Sequence, residues 1–225
     1  RGKVKHDGPA YSPHDFAASQ QVSAREVKFT LPGPLTIMDT TADCHYDDRP
    51  RLAADLAATV NKEILALVEA GCRHIQVDEP LFARQVEDAL GFGIEGLERC
   101  FHNVPDHVTR AVHICCGYPD YLDDEDYRKA DPQSYHRLAG AMDALPIHQV
   151  SIEDAHCYNN LELLDLFQNK AVIFGSVAVA RSRIETVDEV VERIRAALQR
   201  IDRERLVIAP DCGLGMLTRD LAVAK

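Results

Sequence analysis

The chain has 225 residues, 46% of them hydrophobic, and a formal net charge of -11 at pH 7. That length can bury a sizeable core, and the acidic balance excludes partners that need a basic surface, namely nucleic acid and anionic membranes. No apolar run approaches a membrane span and no signal peptide is visible. The seven cysteines are odd in number, irregularly spaced and without a Cys-x-x-Cys pair, so they read as reduced thiols of a cytoplasmic protein. The sequence starts at Arg1 and stops at Lys225 inside an apolar helical pattern. The expectation is one domain over 1–225, incomplete at both ends.

Strand-like and helix-like segments alternate along the chain. The first strand is predicted over Glu26–Leu31, and the polar stretch Thr40–Arg51 after it reads as a loop. Pro50–Ala70 carries Leu52, Leu56, Val60, Ile64, Leu67 and Val68 at helical spacing, with Gly71 as its stop. Further strands are predicted over Arg73–Asp78, Thr109–Cys115, Ile147–Glu153, Ala171–Val177 and Leu206–Asp211. Between them, Pro80–Pro105 reads as one or two helices interrupted around Gly91–Gly93. Pro132–Ala144, Asn159–Gln168 and Thr186–Arg200 read as helices, the last with Asp188 and Glu189 in its first turn. Asp120–Asp131, with six carboxylates, reads as a solvated loop.

A β-α-β-α order implies a parallel sheet covered by helices. No Gly-x-Gly-x-x-Gly follows any strand, so an open dinucleotide-binding sheet lacks its signature. A (β/α)8 barrel brings all strand ends to one face, where distant residues can share a site. The expected fold is therefore an α/β (β/α)8 TIM barrel, with its first strands outside this sequence.

Three motifs at strand ends carry the chemistry. His113 and Cys115 are two apart on a strand and so point to the same face, whereas Cys116 points away. Glu153 ends an apolar strand, where an unpaired carboxylate is costly. Cys212 follows Pro-Asp and precedes Gly-Leu-Gly, which leaves its thiol accessible. Taken singly, each has a plainer reading: a core His beside a core Cys, a salt-bridged Glu, an incidental thiol. Together His113, Cys115, Glu153 and Cys212 suffice for one tetrahedral zinc site. Two thiolates and a carboxylate around Zn²⁺ leave a net charge of about -1, and a bound substrate thiol would lose its proton near neutral pH. Glu153, the most easily displaced ligand, would have the catalytic part of yielding to that thiol. Asp78 and Glu79 form another carboxylate pair at a strand end, for a substrate ammonium group or a rim salt bridge.

With these motifs placed, the chain resembles the C-terminal catalytic barrel of the cobalamin-independent methionine synthase superfamily and its shorter archaeal-type members. The resemblance runs from Leu31-Pro32-Gly33-Pro34-Leu35-Thr36 through Ile75-Gln76-Val77-Asp78-Glu79-Pro80 and His113-Ile114-Cys115 to Pro210-Asp211-Cys212-Gly213-Leu214. It implies a zinc-dependent thiol methyltransferase that converts homocysteine to methionine. It also implies His113, Cys115, Glu153 and Cys212 as zinc ligands and Asp78 as the acceptor of the homocysteine amino group. The partners implied are a small-molecule thiol and an alkyl donor. There is one departure. Ser176–Ser182 has Val179 and Arg181 where the folate-dependent members place Asp and His, which favours an activated donor such as a methylcobalamin-type corrinoid. Relatives that open an epoxide with coenzyme M supply an alternative electrophile, and a structural zinc site in a binding protein is the non-enzymatic alternative.

Overall fold

The computed structural model describes residues 2–225. The chain begins with α1 (Ser12–Gln21), β1 (Lys28–Pro32), α2 (Pro34–Asp39), α3 (Arg49–Glu69) and β2 (His74–Asp78). A 3-10 turn at Pro80–Ala83 leads into α4 (Val86–Asp88), a π turn at Ala89–Gly93 and α5 (Ile94–Cys100). Then come β3 (Thr109–Ile114), α6 (Gln133–Ala144), β4 (Gln149–Ile152), a 3-10 segment at Leu161–Leu166 and β5 (Ala171–Gly175). The last elements are α7 (Val187–Ala197), β6 (Leu206–Ala209) and α8 (Arg219–Ala224). The six strands form one parallel sheet in the order β1-β2-β3-β4-β5-β6. A doubly wound sheet reverses its order at a switch point. This one does not, and its one-way progression is that of a (β/α)8 barrel wall.

All six predicted strands form, each slightly shorter than its apolar run. The Asn159–Gln168 segment is not an α-helix: its core, Leu161–Leu166, is 3-10, started by the Asn160 side chain accepting from the Glu162 N–H. The interruption near Gly91–Gly93 is a π turn, so the chain stays helical through it. The helices α1 and α2 were not expected. Among the described residues, no helix is long and apolar enough to cross a membrane.

Side chains on a strand alternate between faces, and register partners on parallel neighbours share one. One face of this sheet carries Leu31, Ile75, Val77, Val112, Ile114, Val150, Ile152, Val172 and Phe174, all in the hydrophobic core beneath the helices. The opposite face carries Lys28, Thr30, Gln76, Asp78, His113 and Ser151. A parallel sheet in a protein core is normally apolar on both faces. Here the inner face is polar, which marks it as the working surface.

Helix α7 is tied to the sheet by charge. Its start has a full capping box, with Thr186 and Glu189 satisfying each other's backbone N–H groups. From its middle, Arg193 donates to both oxygens of Asp154 at 2.6 and 2.7 Å, and Asp154 is completely buried. Removing one partner of a buried pair strands the other charge. Arg193→Met should lower the unfolding free energy by about 3 kcal/mol, the lower end of that range, because Arg193 keeps some solvent contact. Urea denaturation would measure it.

Candidate metal centre

Parallel register builds the site. Asp78 pairs with His113, His113 with Ser151, so three polar side chains stand in one row on the inner face. Ser151 is within hydrogen-bonding reach of His113 Nδ1, at 2.9 Å. That bond directs the other ring nitrogen, Nε2, into the site, where it is buried and has no hydrogen-bond partner among the described residues. Cys115 continues the alternation one step past β3, and Cys212 arrives from the end of β6. The ligand atoms of His113, Cys115 and Cys212 all lie within 4.8 Å of one another.

A buried polar atom left unpaired is costly, and a metal ion would satisfy it. The two sulfurs and the imidazole are the donor types that bind zinc and related soft or borderline metals. The residues present therefore fit a metal ion. Cys115 and Cys212 perturb each other: the Cys115 thiol, more than the imidazole of His113, draws the pKa of Cys212 down, while Cys115 itself is pushed up by Cys212 and by burial. Burial opposes charge on His113, but the Cys212 sulfur and the carboxylates of Asp78 and Glu153 outweigh it and raise its pKa.

A cavity of about 370 Å³ opens over this cluster, with Lys28, Gln76, Asp78, His113, Ser151 and Cys212 in its wall. Lys28 Nζ donates to Gln76 Oε1 at 2.5 Å, and Gln76 Nε2 donates to Asp78 Oδ1 at 2.8 Å. A lysine ammonium only donates, so it fixes which way the Gln76 amide faces. One Asp78 oxygen is thereby held, and the other accepts no hydrogen bond among the described residues. Glu79 is not free in this way. It is fully buried and spent on the start of α2, accepting from the Leu35 and Thr36 N–H groups and the Thr36 hydroxyl at 2.7–2.9 Å. Burial pushes its pKa up to about 7 against those bonds.

The model of the family described as cobalamin-independent synthase, catalytic domain, matches residues 9–91 and 133–225. The chain belongs to this family. His113 and Cys115 fall between the two matched stretches, while Asp78, Glu153 and Cys212 fall within them. A methionine synthase of Pyrococcus abyssi is 31% identical over 213 residues, covering 94% of the chain and 57% of the relative. One from Saccharolobus islandicus is 32% identical over 214 residues, covering 94% of the chain and 59% of the relative. The chain thus spans under two thirds of these relatives. A B12-independent methionine synthase from Shewanella sp., solved in complex with selenomethionine, superposes with a TM-score of 0.88 at 29% identity. That superposition covers 99% of the chain and 66% of the Shewanella protein.

Within this family frame, the structure brings His113, Cys115 and Cys212 together but keeps Glu153 outside their cluster. Both Glu153 oxygens instead take hydrogen bonds from Lys129 Nζ, at 3.0 and 2.8 Å. Cys116 packs into the hydrophobic core, as strand alternation requires. All seven cysteines are unpaired.

Several residues that build the site were not singled out in the sequence. Asp211, beside Cys212, is fully buried and accepts the N–H groups of Asp154, Ala155 and His156, each at 2.9 Å. It clasps the loop after Glu153 to the loop carrying Cys212. Gly175 makes room for it, since a Cβ there would lie 2.1 Å from Asp211 Oδ1. The motif Pro210-Asp211-Cys212-Gly213 holds a signal for Asp211, an acid next to a candidate ligand, but its partners lie more than 50 residues away in sequence. Ser151 carried no signal beyond its place in a strand.

The Ser151 bond fixes the ring of His113, a candidate metal ligand, and such outer partners are typically worth 10–100-fold in metal affinity. Ser151→Ala should weaken metal binding by about 10-fold or more while leaving far-ultraviolet circular dichroism unchanged. Competition against a chelator of known affinity would measure the change.

Proposed function

We propose that this chain is the catalytic part of a zinc-dependent thiol alkyltransferase that methylates the sulfur of homocysteine to give methionine. The observation that carries this reading is the His113–Cys115–Cys212 cluster, with its unpartnered Nε2, at the strand ends of a chain from this family. His113, Cys115 and Cys212 would hold the metal, and Glu153 would be the fourth, exchangeable ligand. When bound, zinc supplies the Lewis acidity that makes a thiol ionise near neutral pH. Asp78, oriented by Gln76 and Lys28, would accept the ammonium group of the amino acid and so fix its sulfur above the cluster. The thiolate forms a new bond to the methyl carbon as the donor leaves with the electron pair of its own bond to that carbon. A cytoplasmic location suits seven free thiols.

The residues around the fifth strand bear on the donor. A methyl group leaving folate needs a proton delivered to the departing amine, help that is typically worth about 10²–10⁴ in rate. Val179 cannot deliver one, and Arg181 stays protonated at neutral pH. His156 is the imidazole nearest to this loop, but its Nε2 accepts the Ala180 N–H at 3.0 Å. Burial, reinforced by Lys129 and Arg181, pushes its pKa down to about 4, so it is neutral and already engaged. A donor whose leaving group needs no proton, such as a methyl corrinoid, suits this arrangement better than methyltetrahydrofolate.

The protein should bind about one zinc ion per chain, and Cys212→Ser should lose tight binding, because a hydroxyl is a poor replacement for a thiolate. Elemental analysis after dialysis would check this, and full zinc content in Cys212→Ser would count against the ligand set. The zinc-loaded protein should consume homocysteine thiol and yield methionine faster with a methyl corrinoid than with methyltetrahydrofolate. Mass spectrometry of parallel reactions decides it: efficient folate turnover contradicts the donor assignment, and no alkylation with any donor contradicts the function.

A further inference from the structure

Glu153 is the one proposed ligand that stands apart from the others, and what holds it is specific. Lys129 Nζ donates to Glu153 Oε1, to Glu153 Oε2 and to the Gly117 carbonyl, the last at 2.8 Å. It also sits 4.0 Å from the centre of the Tyr118 ring, a cation–π contact. The lysine is braced to the metal-binding strand, since the neighbouring Ala130 N–H bonds to the Cys116 carbonyl at 2.9 Å. Gly117 turns the chain at a φ of +87°, and a Cβ there would meet the Tyr127 hydroxyl at 2.5 Å. Apart from Glu153 itself, the arrangement lies in residues 92–132, the stretch that the family model leaves unmatched.

The Glu153 carboxylate is fully buried, so it needs a cation or strong donors wherever it points. Two are available: a metal ion at the neighbouring cluster, and Lys129. If a substrate thiolate takes the place of Glu153 on the metal, the released carboxylate is still buried and still needs a partner. Lys129 is already in position to receive it. A lysine suits this task because its ammonium is a compact charge on a flexible stem with three rotatable donors. We propose that Lys129 is a positioning residue that competes with the metal for Glu153 and holds the carboxylate in its released state, so that a substrate thiol can replace it. This rests on the zinc–thiol reading above.

The proposal predicts effects of opposite sign. In the zinc protein, Lys129→Met should bind zinc about 10-fold more tightly in the absence of thiol, because the competitor for Glu153 is gone. The same variant should bind homocysteine about 10-fold more weakly by titration calorimetry, and its zinc-edge X-ray absorption should gain less sulfur on homocysteine addition. Both effects should vanish in a Glu153→Gln background, and Lys129→Arg should stay closer to the parent. Lys129→Gln, which keeps a donor without the charge, serves if Lys129→Met does not fold. Weaker zinc binding, unchanged affinities, or the same changes in the Glu153→Gln background would overturn the proposal. If the parent zinc protein itself gains no sulfur from homocysteine, the functional reading fails. The zinc affinities of the four-variant cycle still decide whether Lys129 and the metal compete for Glu153.

Discussion

Parallel register puts Asp78, His113 and Ser151 side by side, and the rest of the site is arranged around that row. In a parallel sheet, residues paired in register share a face, so a polar residue on one strand is forced against those beside it. Ser151 is what lets a buried imidazole keep one nitrogen satisfied and present the other. Asp78, on the opposite side, faces the same cluster from the wall of the cavity above it. The apolar residues of the same strands, pointing outward, anchor the row under the helices. A slip of one residue in any strand would exchange the two faces and destroy both core and site.

The second constraint is the cost of buried charge. Four carboxylates, Glu79, Glu153, Asp154 and Asp211, are completely buried, and each has its own partners. Glu79 starts α2, Asp154 holds Arg193, and Asp211 gathers three backbone N–H groups. Burial still pushes Asp211 up to about 7, so these bonds offset only part of its desolvation. These three are structural: they fix the loops on which the site stands. Glu153 differs, because among the described residues both of its oxygens are held by one lysine ammonium and by no backbone N–H, whereas Asp154 also accepts the Asn159 N–H. On the function proposed above, that difference is what would let Glu153 exchange while its neighbour Asp154 stays fixed.

The strands were legible because each is a short run of Val, Ile and Phe between turn residues, and the long helix α3 because its apolar spacing is regular. His113, Cys115 and Cys212 were legible for a related reason: ligand-type side chains at strand ends, with the i, i+2 spacing of the first two. The helix α1 was hidden because Phe16 is its one buried residue, so it shows no apolar stripe. The start of α2 is capped by Glu79, more than 40 residues away, and no local pattern reveals that. Lys129 was hidden by its surroundings, since Asp120–Asp131 reads as a solvated acidic loop. Its role comes from where that loop folds back, over the end of β3, and not from its composition.

On the proposed function, three side chains from two strand ends far apart in sequence bind one zinc ion. Crystals of the zinc-loaded protein, measured just above and just below the zinc absorption edge, test it most directly. A single anomalous peak per chain is expected, within bonding distance of His113 Nε2, Cys115 Sγ and Cys212 Sγ. A peak elsewhere, or one that excludes Cys212, would contradict it.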